Sequence, residues 1–89
     1  MNLNDYCDAI NVELIVRRYP YQNNRWTATF KDCEVKSQGC LESTYGTGTT
    51  PAEAIEDYLI LIWKKTIVFD APSIGRREFV VPSITLAGY

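Results

Sequence analysis

The strongest nucleophiles in the chain are the thiols of Cys7, Cys33 and Cys40, followed by several serine hydroxyls. Either group needs a base beside it to attack at neutral pH, and histidine is the usual one. The sequence contains no histidine, no Ser-x-x-Lys pair and no Gly-x-Ser-x-Gly elbow. Hydrolysis through a Ser or Cys triad is therefore not expected. Glu53, Glu56 and Asp57 lie close together, but Glu53 holds a helix-capping position and the other two stand where solvated acids stand. Six residues separate Cys33 from Cys40 and Cys7 is distant, which is no usual zinc spacing, and the commonest partner ligand is missing. The thiols read as structural, and the chain reads as a non-enzyme without metal or cofactor.

Two patterns suit binding better than catalysis. Arg17 and Arg18 adjoin Tyr19 and Tyr21, with Arg25 across a turn, and such a mixture can stack on bases and pair with phosphates. Arg76 and Arg77 form a second basic pair. The competing reading is a solvated sheet edge, because alternation sends Arg17 and Arg18 to opposite faces and edge strands carry charge to prevent aggregation. The second pattern is Gly46-Thr47-Gly48-Thr49-Thr50 running into a helix, where free N–H groups favour anions. It lacks a P-loop lysine and dinucleotide spacing, and a flexible strand-to-helix turn explains the same glycines.

These residues need elements to hold them. Leu3, Tyr6, Cys7 and Ile10 recur at helical spacing behind Asn2 or Asn4 as a cap, predicting a short N-terminal helix. Residues 12–19 are rich in β-branched types and predict a strand, and Pro20 with Gln22-Asn23-Asn24 predicts the turn after it. In the next strand Trp26, Ala28 and Phe30 face one way, Thr27 and Thr29 the other. Residues 32–39 read as polar and turn-prone, and 40–45 as a third strand of an antiparallel meander.

The clearest local signal is Thr50-Pro51-Ala52-Glu53, with capping-box spacing and proline at the first helical position. The helix it opens buries Ile55, Tyr58, Leu59, Ile62 and Thr66 on one stripe. Ile60, Leu61 and Trp63 exceed what that stripe needs, so they are candidates for a homo-oligomer or partner surface unless the chain's own ends cover them. Strands are expected at 67–69 and 78–81, followed by a loose tail over 83–89. The expected fold is α+β in one domain, residues 1–89.

With 89 residues, 46% of them hydrophobic and 22% charged, the composition is that of an ordinary folded domain. Nine basic residues against eleven acidic ones give a charge of −2, so no global field holds the protein on long nucleic acid or an anionic membrane. No signal-peptide pattern and no spanning apolar run is seen, and an odd number of cysteines fits a reducing compartment. The expected location is the cytoplasm, a host's if the gene is carried by a phage.

The runs Trp26-Thr27-Ala28-Thr29-Phe30 and Gly46-Thr47-Gly48-Thr49-Thr50-Pro51-Ala52-Glu53-Ala54-Ile55 resemble HicB-type antitoxin domains, a partial RNase H-like fold, over residues 12–69. Lys31-Asp32-Cys33-Glu34-Val35 stands where that family has a Pro-Gly turn. The Gly46–Pro51 helix entry and Arg76-Arg77-Glu78-Phe79-Val80-Val81-Pro82 are also similar to small phage and prophage proteins. The resemblance implies a β-β-β-α-β order and a non-enzymatic binding scaffold. The function expected is a phage-type accessory protein that binds and neutralises a host factor, as counter-defence and anti-CRISPR proteins do, or sequesters a nucleotide signal. The alternative is an antitoxin that neutralises a small RNase toxin. The expected partner is accordingly a host or toxin protein, or a small nucleotide.

Overall fold

A computed structural model describes residues 1–21 and 24–86. The turn residues Gln22 and Asn23, and the end of the tail at 87–89, lie outside the described residues. The chain order is α1 (Leu3–Ile10), β1 (Leu14–Arg18), β2 (Trp26–Phe30), β3 (Cys33–Ser37), β4 (Cys40–Glu42), β5 (Gly46–Gly48), α2 (Pro51–Ile62), β6 (Thr66–Phe69) and β7 (Arg77–Val80). The fold is α+β, with every pair of neighbouring strands antiparallel.

Both helices begin as their capping residues dictate. The Asn2 side chain accepts from the Asp5 N–H at 2.8 Å, and Asn11 ends α1 in the left-handed region at φ 53°. The Thr50 hydroxyl accepts from the Glu53 N–H at 3.2 Å, with Pro51 at the first helical position of α2.

The strands divide between two sheets, ordered β1-β2-β5 and β4-β3-β6-β7. This differs from a simple meander at two places. Residues 32–39, expected as a turn, hold β3, in which Cys33 and Val35 face inward while Lys36 is exposed. Gln38 and Gly39 then turn at φ 48° and 84°, the pair of positive angles that joins strands across two residues. The segment 40–45, expected as one strand, pairs with β3 only as far as Glu42. Its continuation β5 pairs with β2 instead, Ala28 opposite Gly46 and Trp26 opposite Gly48.

α2 lies across one face of β1-β2-β5, burying Ala54, Ile55, Tyr58, Leu59 and Ile62. Phe30 sits at the centre of the core, its ring 5.4 Å from Tyr58, 6.1 Å from Phe69 and 6.3 Å from Tyr6. One strand and both helices therefore meet the second sheet at a single side chain. The start of the tail is not loose: Leu3 N–H donates to Thr85 O and Thr85 N–H to Met1 O, each at 3.0 Å, and Ile84 and Leu86 pack on the core. Two apolar side chains and two backbone bonds anchor it.

Candidate functional site

The side of β1-β2-β5 turned away from α2 is set by register. Because side chains alternate along a strand, Val16, Ala28 and Gly46 point to α2 together, and Arg17, Thr27 and Thr47 point away together. Ile15 and Thr29 form the neighbouring row on that open face. Tyr19, Arg25 and Tyr45 continue it beyond the strand ends. Tyr19, Arg25, Thr27, Tyr45 and Thr47 line a recess of about 180 Å³.

The recess is fixed by backbone bonds. Tyr19 N–H donates to Arg25 O at 2.7 Å, closing the β1–β2 end, and Thr29 Oγ donates to Thr44 O at 3.0 Å, holding the segment that carries Tyr45. Tyr21 packs edge-on against Tyr19, ring centres 5.7 Å apart. Tyr45 is 55% exposed, so its ring is available to a ligand. Among the described residues, the exposed Arg17, Arg18 and Arg25 form no ion pair. Arg17 and Arg25 stand on the open face with the tyrosines, whereas Arg18 lies opposite Trp26 on the helix side.

Further along the same face the charge reverses. A second recess, about 650 Å³, begins at Ile15, Thr29 and Tyr45 and is bordered by three acids, Asp32, Glu34 and Asp70, against one cation, Lys31. The basic, aromatic ground therefore extends over only the Tyr19–Arg25 end. That length suits a single small ligand and not a polyanion running along the sheet.

Other candidates have structural work instead. Gly46 and Gly48 are the seat of α2: a Cβ on Gly46 would lie 2.2 Å from Ala54 O, and one on Gly48 would lie 2.6 Å from Ala54 N. The donors and charges present at 46–50 do not favour an anion cradle. Thr47 N–H already donates to Asp57 Oδ2 at 2.9 Å, and the Glu53 carboxylate binds the Thr49 and Thr50 hydroxyls. The Thr49 hydroxyl, then that of Thr50, holds Glu53 below the usual carboxylate range, so two acids face an incoming anion.

Arg77 is engaged within the fold. Its guanidinium donates to the carbonyls of Ile10 and Asn11 at the end of α1 and stacks over Phe69 and Phe79, 5.4 and 5.7 Å from their ring centres. Arg76 pairs with Glu78 at 3.0 Å, and Glu78 also takes Lys36 at 2.6 Å.

Two of the thiols, Cys7 and Cys33, are poor nucleophiles for a physical reason. Burial pushes Cys33 up to about 11, while Tyr58 OH donates to its sulfur at 3.9 Å and accepts from Phe30 N–H at 3.2 Å. Burial likewise raises Cys7. Among the described residues no His, Cys, Asp or Glu group is arranged to hold a metal ion, and no helix is long and apolar enough to cross a membrane.

Ile60, Leu61 and Trp63 are 73%, 38% and 50% exposed on the outer side of α2. Ile60 and Trp63 border a groove of about 450 Å³ between α2 and residues 83–86. Residues 83–86 thus flank Ile60 and Trp63 without covering them.

Tyr45, with Thr27 and Thr47 beside it, is a site residue that sequence reasoning missed. Its signal is parity with Thr47, which appears only once 46–48 is known to be a strand paired with β2. The chain matches no family model, no curated protein and no solved structure.

Proposed function

We propose that the chain is a non-enzymatic accessory protein of the phage type that neutralises a host factor by binding, and that the species it holds is a small phosphorylated nucleotide on the open face of the first sheet. The observation that carries this reading is the placement of Arg25 beside the exposed rings of Tyr19 and Tyr45, with Arg17 on the same face by register and neither arginine paired with a carboxylate among the described residues.

A base stacks on a tyrosine face, and the Thr27 and Thr47 hydroxyls offer both donors and acceptors to its edge or to a sugar. A guanidinium takes a phosphate through two parallel hydrogen bonds. The Arg17 row and the Tyr19–Arg25 row are two residues apart along β1, about 6.6 Å at the usual strand rise. One nucleotide spans that interval from base to phosphate. The Asp32, Glu34 and Asp70 border opposes extension of the anion, which favours a free nucleotide over a strand. The raised Cys33 thiol and the lack of histidine support sequestration instead of turnover.

The test is calorimetry and thermal denaturation with linear nucleotides, cyclic mono- and dinucleotides, nucleosides and inorganic phosphate. A bound nucleotide at a hundredfold excess over its dissociation constant stabilises the fold by about 2.7 kcal/mol. For a domain of this size that is roughly 10 °C or more in Tm. Arg25→Ala and Tyr45→Ala should abolish the shift and leave the unliganded Tm within about 2 °C, since both side chains are exposed. No shift with any phosphorylated nucleotide, or an equal shift in both variants, refutes the proposal.

A further inference from the structure

We infer that the outer edge of β1 is a homodimer surface, on which β1 of a second copy pairs antiparallel about a two-fold axis at Ile15 and joins the two β1-β2-β5 sheets into one. The axis lies at the sheet edge, whereas the nucleotide recess lies at the Tyr19–Arg25 end, so either idea can fail alone.

β1 is an outer strand, paired only with β2. Which of its backbone groups are spare follows from the bonds at its two ends. Lys31 N–H donates to Glu13 O at 2.9 Å, and Tyr19 N–H donates to Arg25 O at 2.7 Å. In an antiparallel ladder alternate residues turn both backbone groups to the same neighbour, so Glu13, Ile15, Arg17 and Tyr19 serve β2. Leu14, Val16 and Arg18 turn theirs outward, where no second strand meets them among the described residues. A recess of about 370 Å³ is lined by the consecutive residues Glu13 to Arg17 together with Lys31. Consecutive residues point to alternate faces, so the recess follows the edge. The other outer strands are blunted: β4 and β5 have three residues each, and β7 runs towards Pro82. β1 has five residues and no proline.

The side chains choose the partner and the register. With Ile15 opposite Ile15, Glu13 of each copy lies opposite Arg17 of the other, and Leu14 lies opposite Val16. The two Leu14–Val16 pairs exchange backbone hydrogen bonds through the groups that point outward. Glu13 and Arg17 fall at the closer, non-hydrogen-bonded positions, where opposite charges attract across strands. Within the chain Glu13 reaches Lys31 only at 3.9 Å, and Arg17 has no ion pair among the described residues. An axis at Arg17 sets Arg17 against itself, and an axis at Val16 sets Arg17 against Ile15 and Arg18 against Leu14. Charge therefore selects the Ile15 axis, an isologous contact. The Arg17 guanidinium has five N–H donors, of which a carboxylate takes two, so this pairing leaves it able to meet a phosphate. α2 packs mainly on β5 and β2, away from this edge.

Charge reversal gives a test that lost folding cannot imitate. Sedimentation equilibrium of the full chain at micromolar concentration should give a dimer mass. E13R and R17E each set like charges opposite one another and should weaken the dimer at least tenfold, with native circular dichroism because both side chains are exposed. An equal mixture of the two variants, and the double variant E13R/R17E, restore both charge pairs and should associate near parental affinity. Ile15→Cys in a Cys40→Ser background should form an intermolecular disulfide on oxidation, since the two Cα atoms lie about 4.5 Å apart across the axis. A parent that stays monomeric, a single reversal that keeps parental affinity, a mixture that fails to associate, or an absent cross-link overturns the inference.

Discussion

Gly46→Ala isolates what the glycines of β5 are for. The added methyl carbon lies 2.2 Å from Ala54 O, 2.3 Å from Tyr58 N and 2.7 Å from Tyr58 Cα, where ordinary contact begins near 3.4 Å. All three are backbone atoms of α2, so no rotamer change relieves the overlap. The helix must lift by about 1 Å from a seat in which Ala54, Ile55, Tyr58, Leu59 and Ile62 are buried. Overpacking costs roughly 1–3 kcal/mol when side chains can yield, and here the upper end or beyond applies. The lowered entropy of the unfolded chain returns about 0.4–1 kcal/mol, leaving a net loss of about 2 kcal/mol or more. That is a large share of the roughly 5–15 kcal/mol typical of a domain. Urea titration followed by circular dichroism should show a lower midpoint with an unchanged slope. Gly75→Ala, whose methyl would come no closer than 3.4 Å to any neighbour, should stay within about 0.5 kcal/mol of the parent. Parental stability in Gly46→Ala refutes the seat, and if ligand binding also vanished the glycine would belong to the binding site instead.

Two further expectations use groups with known surroundings. Tyr58→Phe strips the buried Phe30 N–H of its acceptor and should cost about 1–3 kcal/mol, whereas Tyr6→Phe removes a buried hydroxyl without a partner among the described residues and should be neutral or stabilising. The reverse order in urea titrations contradicts this hydrogen-bond assignment. Hydroxyls at Thr49 and Thr50 lower Glu53, and Lys36 and Arg76 lower Glu78, both from an ordinary value of 4.5. Since the folded values are depressed, their contribution is present above pH 4.5 and is lost as pH falls through the folded values. Glu53→Gln and Glu78→Gln should therefore flatten the stability curve below pH 4.5, and an unchanged acid slope refutes the pairing.

What could be read in the sequence was local. The Thr50-Pro51-Ala52-Glu53 start of α2 and the Asn2 start of α1 depend on side chains reaching their own helix, within three residues. The Trp26-Ala28-Phe30 face follows from strand period alone. What was hidden depends on distant contacts. β5 carries glycines that argue against a strand by propensity, and only the pressure of α2 on Gly46 and Gly48 explains them. β3 looked like a turn because Asp32, Gln38 and Gly39 punctuate it, yet its inward Cys33 and Val35 pair with Phe69 and Ile67, residues beyond the helix. Arg77 looked like a free cation, and its partner Ile10 lies 67 residues away.

The same alternation that seats the helix also creates the open face. A strand that carries Gly46 and Gly48 on one side to admit α2 must turn Tyr45 and Thr47 to the other. β2 does likewise, spending Ala28 and Phe30 on the core and leaving Thr27 and Thr29 outside. The chain leaves this sheet at Lys31-Asp32, where Asp32 takes φ 55°, and carries β3 into the second sheet. Had β3 added to the first sheet, the residues beyond Phe30 would have prolonged that layer. By changing sheets, the chain instead brings Asp32, Glu34 and Asp70 to the lower border of the open face and leaves Arg17 and Arg25 at its upper end. The charge gradient along the open face is thus a consequence of topology, not of the −2 net charge.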